Sequence, residues 1–258
     1  MLNIIIASLS ALATIAAAII YYKTLEELKR QRQNTYRPHL FIDSIPFNVA
    51  GVERENIIMP LHWTDKKEEH NKVLKISNDI NTYRFNLKCY NIGFGTAKKV
   101  EVKFNLDLDS FIKQLNKISE SIDPKLVIGI EERNGMISFS HKNDKLPFTQ
   151  KVISKKHSMN DYISYVLPAN ISNTSIPIQM PRVYLELLNI SIHYLAVLPD
   201  KSEWIGDDVW STFFPIIKAT LKYEDIYNVS ETKSIEIVTE MFTFGSSGYF
   251  GHFKVTEL

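Results

Sequence analysis

The feature that most constrains this chain is an uncharged stretch over residues 2–22, in which only Asn3, Ser8, Ser10 and Thr14 interrupt an apolar run. As an α-helix rising ~1.5 Å per residue, the stretch covers about 31 Å, which matches the ~30 Å hydrocarbon core of a bilayer. It therefore predicts a transmembrane helix over residues 1–22. The anchoring residues at its two ends are Leu2, Ile20, Tyr21 and Tyr22, and tyrosines favour the membrane interface.

A cleaved secretory signal peptide is the alternative interpretation of this segment. Such a peptide begins with basic residues and ends at a small-residue cleavage site. Residues 1–3 contain no Lys or Arg, and although Ala16–Ala18 resembles a cleavage site, the apolar run continues to Tyr22. These features favour a retained span, and the cleaved form stays open as the alternative.

The charges beside the span predict its orientation. Five basic residues follow the apolar run, namely Lys23, Lys29, Arg30, Arg32 and Arg37. Because basic residues close to a span stay on the cytoplasmic side, we expect a single-pass protein of the inner (plasma) membrane whose body lies in the cytoplasm. A single cysteine agrees with a reducing compartment.

Residues 23–37 are predicted to continue the span as a basic helical stalk. Leu25 and Leu28 are its only aliphatic residues, so it does not resemble a core helix, and the Arg37-Pro38 pair ends it. Within the span, Ser10, Thr14 and Ala18 form a stripe of small residues four apart, which permits close helix pairing and hence a homodimer. The alternative is that small residues are simply common in spans.

The remaining residues, 38–258, show the period-two pattern of β-strands, as in 83–90, 99–108, 217–223 and 235–244. We expect a mainly β fold, an antiparallel β-sandwich with a few inserted helices, and a hairpin formed by the first two strands. Asn134-Gly135 predicts a second hairpin, and the last two stretches are expected to pair through a turn at 225–230. Residues 109–122 have helical spacing with Asp109 as the N-cap, while 181–195 fits either a buried helix or a strand.

Composition narrows the class of function. The chain has 30 Lys+Arg against 29 Asp+Glu, which argues against a dedicated nucleic-acid binder, and its one cysteine excludes internal disulfides. None of the seven histidines forms a close metal-binding spacing, and the stretch from His62 to His70 fits a charged surface loop better than a metal site. Ser246-Ser247 lacks a nucleophile-elbow context, and Cys89 falls on an apolar strand face. We expect no cofactor, no metal and no catalytic residue.

The segment Asn91-Ile-Gly93-Phe-Gly95-Thr-Ala97 resembles the N-x-G-x-G-x-A turn of bacterial Ig-like and adhesion-type sandwich domains, including single-span proteins. Asn91, Gly93, Gly95 and Ala97 are its structural residues. Tyr223 to Asn228 resembles the aromatic-Asp turn of the same group, with Asn228 where glycine is usual. The resemblance implies a sandwich on a membrane anchor and a role as an accessory or effector protein in phage defence or a mobile element. It implies no catalytic residue.

An aromatic-rich segment is the remaining candidate for a binding site. It contains Trp204, Trp210, Phe213 and Phe214, and it predicts either a partner-binding loop or a buried corner. Three functions stay open from the sequence. The leading one is a membrane-tethered, non-enzymatic binding, sensing or effector module with a protein partner. The alternatives are a membrane-anchored hydrolase with an unrecognised site and an extracytoplasmic adhesion-like domain.

Overall fold

The computed structural model describes residues 2–54, 57–65, 85–124, 127–140, 150–154, 159–197, 214–245 and 248–258. It is mainly antiparallel β-sheet and has a long apolar helix at its N-terminus. Its helices are α1 (Leu2–Thr35), α2 (Leu108–Ser119) and α3 (Arg182–Val197). Its strands are β1 (Leu40–Ile42), β2 (Ile45–Arg54), β3 (Ile57–Thr64), β4 (Asn86–Asn91), β5 (Ala97–Asn105), β6 (Gly129–Arg133), β7 (Met136–Ser140), β8 (Gln150–Ser154), β9 (Asn160–Val166), β10 (Ile176–Gln179), β11 (Ile217–Glu224), β12 (Ser230–Gly245) and β13 (Gly248–Glu257).

The strands form three antiparallel sheets. The largest has the order β3-β2-β13-β12-β11-β5-β9, and two smaller sheets have the orders β1-β4-β10 and β6-β7-β8. Buried side chains from all three sheets, such as Phe253, Leu87 and Phe139, belong to one hydrophobic cluster. Phe47, Trp63 and Phe253 pack ring against ring inside it, with centroids 4.6–5.8 Å apart. The sheets therefore enclose a common core.

Helix α1 is one continuous helix across the predicted span and stalk, and it ends at Thr35, close to the expected stop at Arg37-Pro38. Helix α2 confirms the helical spacing after β5 but begins earlier than predicted. Asp107, not Asp109, is its N-cap, because the Asp107 carboxylate accepts a hydrogen bond from the Ser110 backbone N–H at 3.0 Å. Residues 181–195 form the helical alternative, α3, in which the side chains of Val183–Leu195 are all buried.

Two predicted hairpins are confirmed by their turns. Strands β6 and β7 are joined by Asn134 and Gly135, whose φ angles of 53° and 72° suit a two-residue hairpin turn. Strands β11 and β12 pair from Ile217↔Ile237 to Glu224↔Ser230, and the turn between them at 225–229 lies within the predicted turn at 225–230. In both turns the local sequence supplies the conformation that the connection needs.

The predicted hairpin between β4 and β5 is wrong. Strand β4 lies between β1 and β10, whereas β5 lies between β11 and β9 in the seven-stranded sheet. The alternation of the two strands correctly marks their buried sides, with Leu87 and Cys89 on one and Val100 and Val102 on the other. The alternation of side chains along a strand shows which side is buried, but it does not show which strand lies beside it. In the structure the connection at 92–96 crosses from one sheet to another instead of folding back.

Candidate functional site: the junction between the helix and the sheets

The candidate site is the end of the β-rich body where α1 joins it. Residues 36–39 form the link from α1 to β1, and three connections lie at the same end of the body: residues 91–97, 166–172 and 225–229. The link begins with helical hydrogen bonds, from the Tyr36 N–H to the Arg32 carbonyl at 3.0 Å and from the Arg37 N–H to the Asn34 carbonyl. Pro38 then stops the helix and is buried.

Asn91 is the centre of the junction. Its buried side-chain oxygen accepts hydrogen bonds from the backbone N–H groups of His39 at 3.0 Å and Gly93 at 3.1 Å. Its amide nitrogen donates to the carbonyls of Gly95 at 2.6 Å and Val166 at 3.1 Å. The amide thus uses both of its donors and both acceptor positions, and one side chain connects the link, its own turn and the segment after β9.

Gly93 and Gly95 let the link pass directly against the turn. A Cβ atom on Gly93 would overlap the backbone at Arg37 and His39, and one on Gly95 would overlap the Tyr36 carbonyl. Neither glycine has a positive φ, so close approach of the backbones explains these glycines better than conformational freedom does. The structure therefore assigns both glycines a packing role at the base of α1.

A second set of contacts attaches β1 to the large sheet. The Lys233 side chain is only 9% exposed, and its ammonium donates to the Leu40 carbonyl at 2.8 Å and pairs with Glu257 at 2.8 Å. That hydrogen bond from Lys233 lowers the pKa of the Glu257 carboxyl. Arg37 reaches Glu231 at 3.5 Å across the surface. The first residues after α1 are therefore held by side chains of β12, one of which, Lys233, is itself paired with Glu257 of β13.

Cys89 and Tyr223 lie in the apolar layer beneath these contacts. Burial raises the pKa of the Cys89 thiol to about 12, against the smaller opposing effect of the Lys233 ammonium. Burial also raises the pKa of the Tyr223 phenol, which shares a hydrogen bond with the Leu40 backbone. A fully buried, protonated thiol is a packing group and a poor nucleophile, as its apolar strand position predicts.

The connections around the link present exposed apolar side chains, which we call the apolar collar. Its members are Ile92, Phe94, Leu167, Ile171, Ile226 and Tyr227. Phe94 is 62% exposed and Ile171 is 67% exposed. Two of the connections are hydrogen-bonded to each other, since the Ala169 N–H donates to the Asn91 carbonyl at 2.8 Å. The third is tied to β5 by the Lys98 ammonium, which donates to the Asn228 side chain at 3.1 Å.

The turn at 225–229 is built by one buried carboxylate. Asp225 accepts hydrogen bonds from the backbone N–H groups of Tyr227 at 2.7 Å and Val229 at 2.8 Å. Asn228 has a φ of 62°, a left-handed conformation that asparagine tolerates better than most residues. This geometry leaves Ile226 and Tyr227 exposed at the tip.

Other predicted site residues lie on or near this end of the molecule. The anchoring residues Ile20, Tyr21 and Tyr22 are exposed on α1, whereas the Leu2 side chain is outside the described part. The flanking bases Lys23, Lys29, Arg30 and Arg32 are exposed on the same helix, and Arg37 lies in the link. Ala97 opens β5 and is fully buried.

The structure separates the aromatic candidates. Phe214 is buried in the hydrophobic core, so its ring does not contribute to an exposed binding loop. Trp204, Trp210 and Phe213 lie outside the described residues, as do His70 and Ser246-Ser247. Among the described residues, no group of three or more His, Cys, Asp or Glu side chains is placed to hold a metal ion.

Sequence reasoning missed Lys233 and the segment after β9 as parts of the junction. Lys233 occupies an ordinary position on an alternating strand, and its partners are residues far away in the chain. It also missed three buried polar residues, Glu186, Asn189 and His193, spaced three and four apart on α3. That spacing inside an apolar run was the available signal for a polar stripe on one helix face.

Comparison of the chain with protein-family models, with curated proteins and with solved structures found no match.

Proposed function

We propose that this protein is a single-pass, membrane-tethered binding or effector module without catalytic activity, whose body faces the cytoplasm. The observation that carries the proposal is α1, which is long and apolar enough to cross a bilayer and is 0% buried over Leu9–Thr35. Each large aliphatic side chain gains about 1.5–3 kcal/mol when it leaves water. Since the described body covers none of them, a lipid phase is the environment that stabilises this helix.

The flanking charges support the orientation. Lys23, Lys29, Arg30 and Arg32 follow the span directly and are exposed. Moving these bases across the membrane is unfavourable, so they remain on the cytoplasmic side with the body. The buried, reduced Cys89 is compatible with that compartment.

The apolar collar supports a role in protein binding. Three connections at one end of the body carry exposed apolar side chains, and exposed apolar clusters characterise interaction surfaces. The junction holds this surface in a constant position relative to α1, because Asn91, Lys233 and the two glycines attach the link to the body. We infer a partner protein recognised close to the membrane.

We further propose that the two sheets joined by residues 92–96 form a β-sandwich of the Ig-like kind. Their shared hydrophobic core and the resemblance of the Asn91–Ala97 turn support this assignment. The same resemblance supports a setting in phage defence or a mobile element.

The test of anchorage and orientation uses the full chain with a reporter fused after Leu258, expressed in a bacterial host. We expect the chain in the membrane fraction, a cytoplasmic reporter to be active and an exported-only reporter to be inactive. A matched chain lacking residues 2–22 should move to the soluble fraction. An active exported reporter would contradict the cytoplasmic assignment and favour the adhesion-like alternative.

The test of the collar uses a photo-crosslinking residue at Phe94, with Tyr162 as the matched control. Both side chains are about equally exposed, at 62% and 63%, but Tyr162 lies on β9 outside the collar. We expect a discrete protein adduct in cells from position 94 and none from position 162. Equal labelling at both positions would remove the collar as the binding surface.

A further inference from the structure

Edge strands of all three sheets line one polar cavity of about 280 Å³, which we call the edge cavity. Its lining includes Ser154 of β8, Asp161 of β9, Gln179 of β10 and Arg182 of α3. Strands β8 and β10 are each the last strand of a three-stranded sheet, and β9 is the last strand of the seven-stranded sheet. Because an edge strand carries backbone N–H and C=O groups that its own sheet leaves unpaired, a cavity bounded by three edges offers hydrogen-bonding groups on several sides.

Asp161 is the carboxylate of the edge cavity, and backbone groups hold it in one position. Its Oδ1 atom accepts a hydrogen bond from the Tyr162 N–H at 2.8 Å, and its Oδ2 atom accepts one from the Gln179 N–H at 2.9 Å. The carboxylate thus connects the edges of β9 and β10. A carboxylate has about four acceptor positions, and these two bonds use half of them. Since neither donor carries a formal charge, the negative charge of Asp161 suits a cationic group of a ligand.

Arg182 supplies a positive charge to the same cavity. It is the first residue of α3 and is exposed, so its guanidinium is accessible from solvent. A guanidinium has five N–H donors and forms paired hydrogen bonds with a carboxylate. Within the described part of the chain, the edge cavity is therefore lined by one anionic and one cationic side chain. A ligand with both an ammonium and a carboxylate group complements the two charges.

The remaining lining residues limit the size and polarity of this ligand. Val152, Ile153 and Met180 give the cavity an apolar wall, in which Ile153 and Met180 are buried and Val152 is 50% exposed. Pockets for drug-sized ligands have volumes of roughly 300–1,000 Å³. A volume of about 280 Å³ is below that range, so it excludes a large cofactor and suits a molecule the size of an amino acid.

Two other cavities in the described residues are less suited to a charged ligand. In one of them, the Lys88 ammonium and the Asp65 carboxylate pair at 2.9 Å, so the two charges neutralise each other. In the other, on the outer face of the large sheet, Glu101 lies directly opposite Lys222 on the neighbouring strand. In the edge cavity, by contrast, the hydrogen bonds of the Asp161 carboxylate come from backbone groups.

We propose that the edge cavity binds a free amino acid with an aliphatic side chain. The ligand ammonium donates to Asp161, the ligand carboxylate accepts from Arg182, and the aliphatic side chain packs against Val152 and Met180. The inference goes beyond the proposed function, because binding here requires neither the membrane span nor the apolar collar. It assigns the body a small molecule that it senses.

The test measures the binding of L-leucine to the full chain in detergent by isothermal titration calorimetry. Two matched probes each lack one charged group of leucine: isoamylamine has no carboxylate, and isocaproate has no ammonium. We expect leucine to bind with a dissociation constant of about 1 mM or lower, at least about tenfold more tightly than either probe. Absence of leucine binding at roughly ten times that concentration, or equal binding of all three compounds, would overturn the proposal.

Two substitutions assign the charges to the two ends of the ligand. Arg182→Gln should weaken leucine binding by about tenfold, to the level of isoamylamine, and Asp161→Asn should weaken it to the level of isocaproate. The control is Arg133→Gln on the exposed end of β6, which should leave leucine binding unchanged.

The same leucine affinity in Arg182→Gln and Arg133→Gln would overturn the assignment. Because Asp161 also connects β9 and β10, urea denaturation of each variant shows whether it is folded. If Asp161→Asn is unfolded, Arg182→Gln decides the result, since its exposed side chain is not part of the core.

Discussion

The span of α1 and helix α3 are both predominantly apolar, yet they have opposite surroundings. In α3 the side chains of Val183–Leu195 are all buried, and the helix packs against β3, α2 and β8. In α1 the side chains from Leu9 onward are exposed, apart from Gln33, which is half-buried. A predominantly apolar helix is stable only when it is covered, and the described part of the protein covers α3 but not the span of α1.

Length and polarity explain which helix enters which environment. Helix α3 has 16 residues and covers about 24 Å, which is too short for a ~30 Å hydrocarbon layer. It also contains Glu186, Asn189 and His193, whose polar atoms are costly to place in lipid. Asn189 accepts a hydrogen bond from the Trp63 indole at 2.8 Å, a partner that only a protein interior supplies.

The largest expected effect comes from placing a charge in each helix. Leu188→Asp buries a carboxylate in the core and should lower the free energy of unfolding of the body by more than about 4 kcal/mol. Leu12→Asp, on exposed α1, should change the free energy of unfolding of the body by no more than ~0.5 kcal/mol. It should instead reduce membrane insertion, because an aspartate within a span opposes insertion by about 3 kcal/mol. Urea denaturation in detergent measures the stability of the body, and membrane fractionation measures insertion. Similar loss of body stability in both variants would show that α1 packs on the body.

A smaller effect is expected where α1 joins the body. Asn91→Ala removes four hydrogen bonds and leaves buried backbone groups unpaired, so the free energy of unfolding should fall by about 3 kcal/mol. The control is Asn116→Ala on the exposed side of α2, where a change below ~0.5 kcal/mol is expected. Alkylation of buried Cys89 provides the readout, because the thiol becomes reactive when the structure opens. Equal alkylation rates in the two variants would contradict the central role of Asn91.

Crowding at the base of α1 should have a moderate effect. Gly95→Ala pushes a methyl group into the Tyr36 carbonyl and should cost about 1–3 kcal/mol, because backbone of both the turn and the link must move. Gly129→Ala is the matched control, since its added carbon would lie 3.3 Å from the Ser140 hydroxyl, a side chain that can turn away. Thermal unfolding of both variants tests this difference. An unchanged melting temperature for Gly95→Ala would mean that the link does not pass against the turn.

The smallest effect is expected from removing the polarity of α3. Asn189→Leu leaves the Trp63 indole N–H without its acceptor but also removes the Asn189 side-chain nitrogen, which is itself buried without a hydrogen-bond partner. One unpaired buried nitrogen replaces another, so stability should change by less than about 1 kcal/mol. Trp63→Phe breaks the same bond and leaves both polar atoms of Asn189 unpaired, so it should cost more. Chemical denaturation ranks the two variants. The reverse order would show that the Asn189 amide itself is needed in the core.

Local patterns account for the features that sequence reasoning predicted correctly. Asn134-Gly135 needs only its own backbone preference to make a turn, and the 225–229 turn needs only Asp225 and the residues beside it. The N-cap of α2 was misplaced by two residues because Asp107 and Asp109 both suit the role, and only the Ser110 contact distinguishes them. The helix over Arg182–Val197 was ambiguous because a fully buried segment loses its periodic pattern.

Contacts between distant residues account for the rest. Nothing near Lys233 in the chain indicates that it binds the Leu40 carbonyl, 193 residues away. The Asn91 turn was recognisable, but its partner, the link at the base of α1, was not. Likewise, the burial of Phe214 depends on the strands that surround it and not on its aromatic neighbours in sequence.

The amino-acid sequence by itself determined the uncharged span, the basic residues that follow it, the buried side of most strands and two of the turns. These features depend on residues that are close in the chain, where hydrophobicity and backbone preference act directly. Tertiary structure alone decided that β4 and β5 belong to different sheets, that α3 is enclosed while α1 is not, and that the glycine turn packs against the helix end. Those outcomes depend on which distant surfaces cover one another, a property that no local pattern contains.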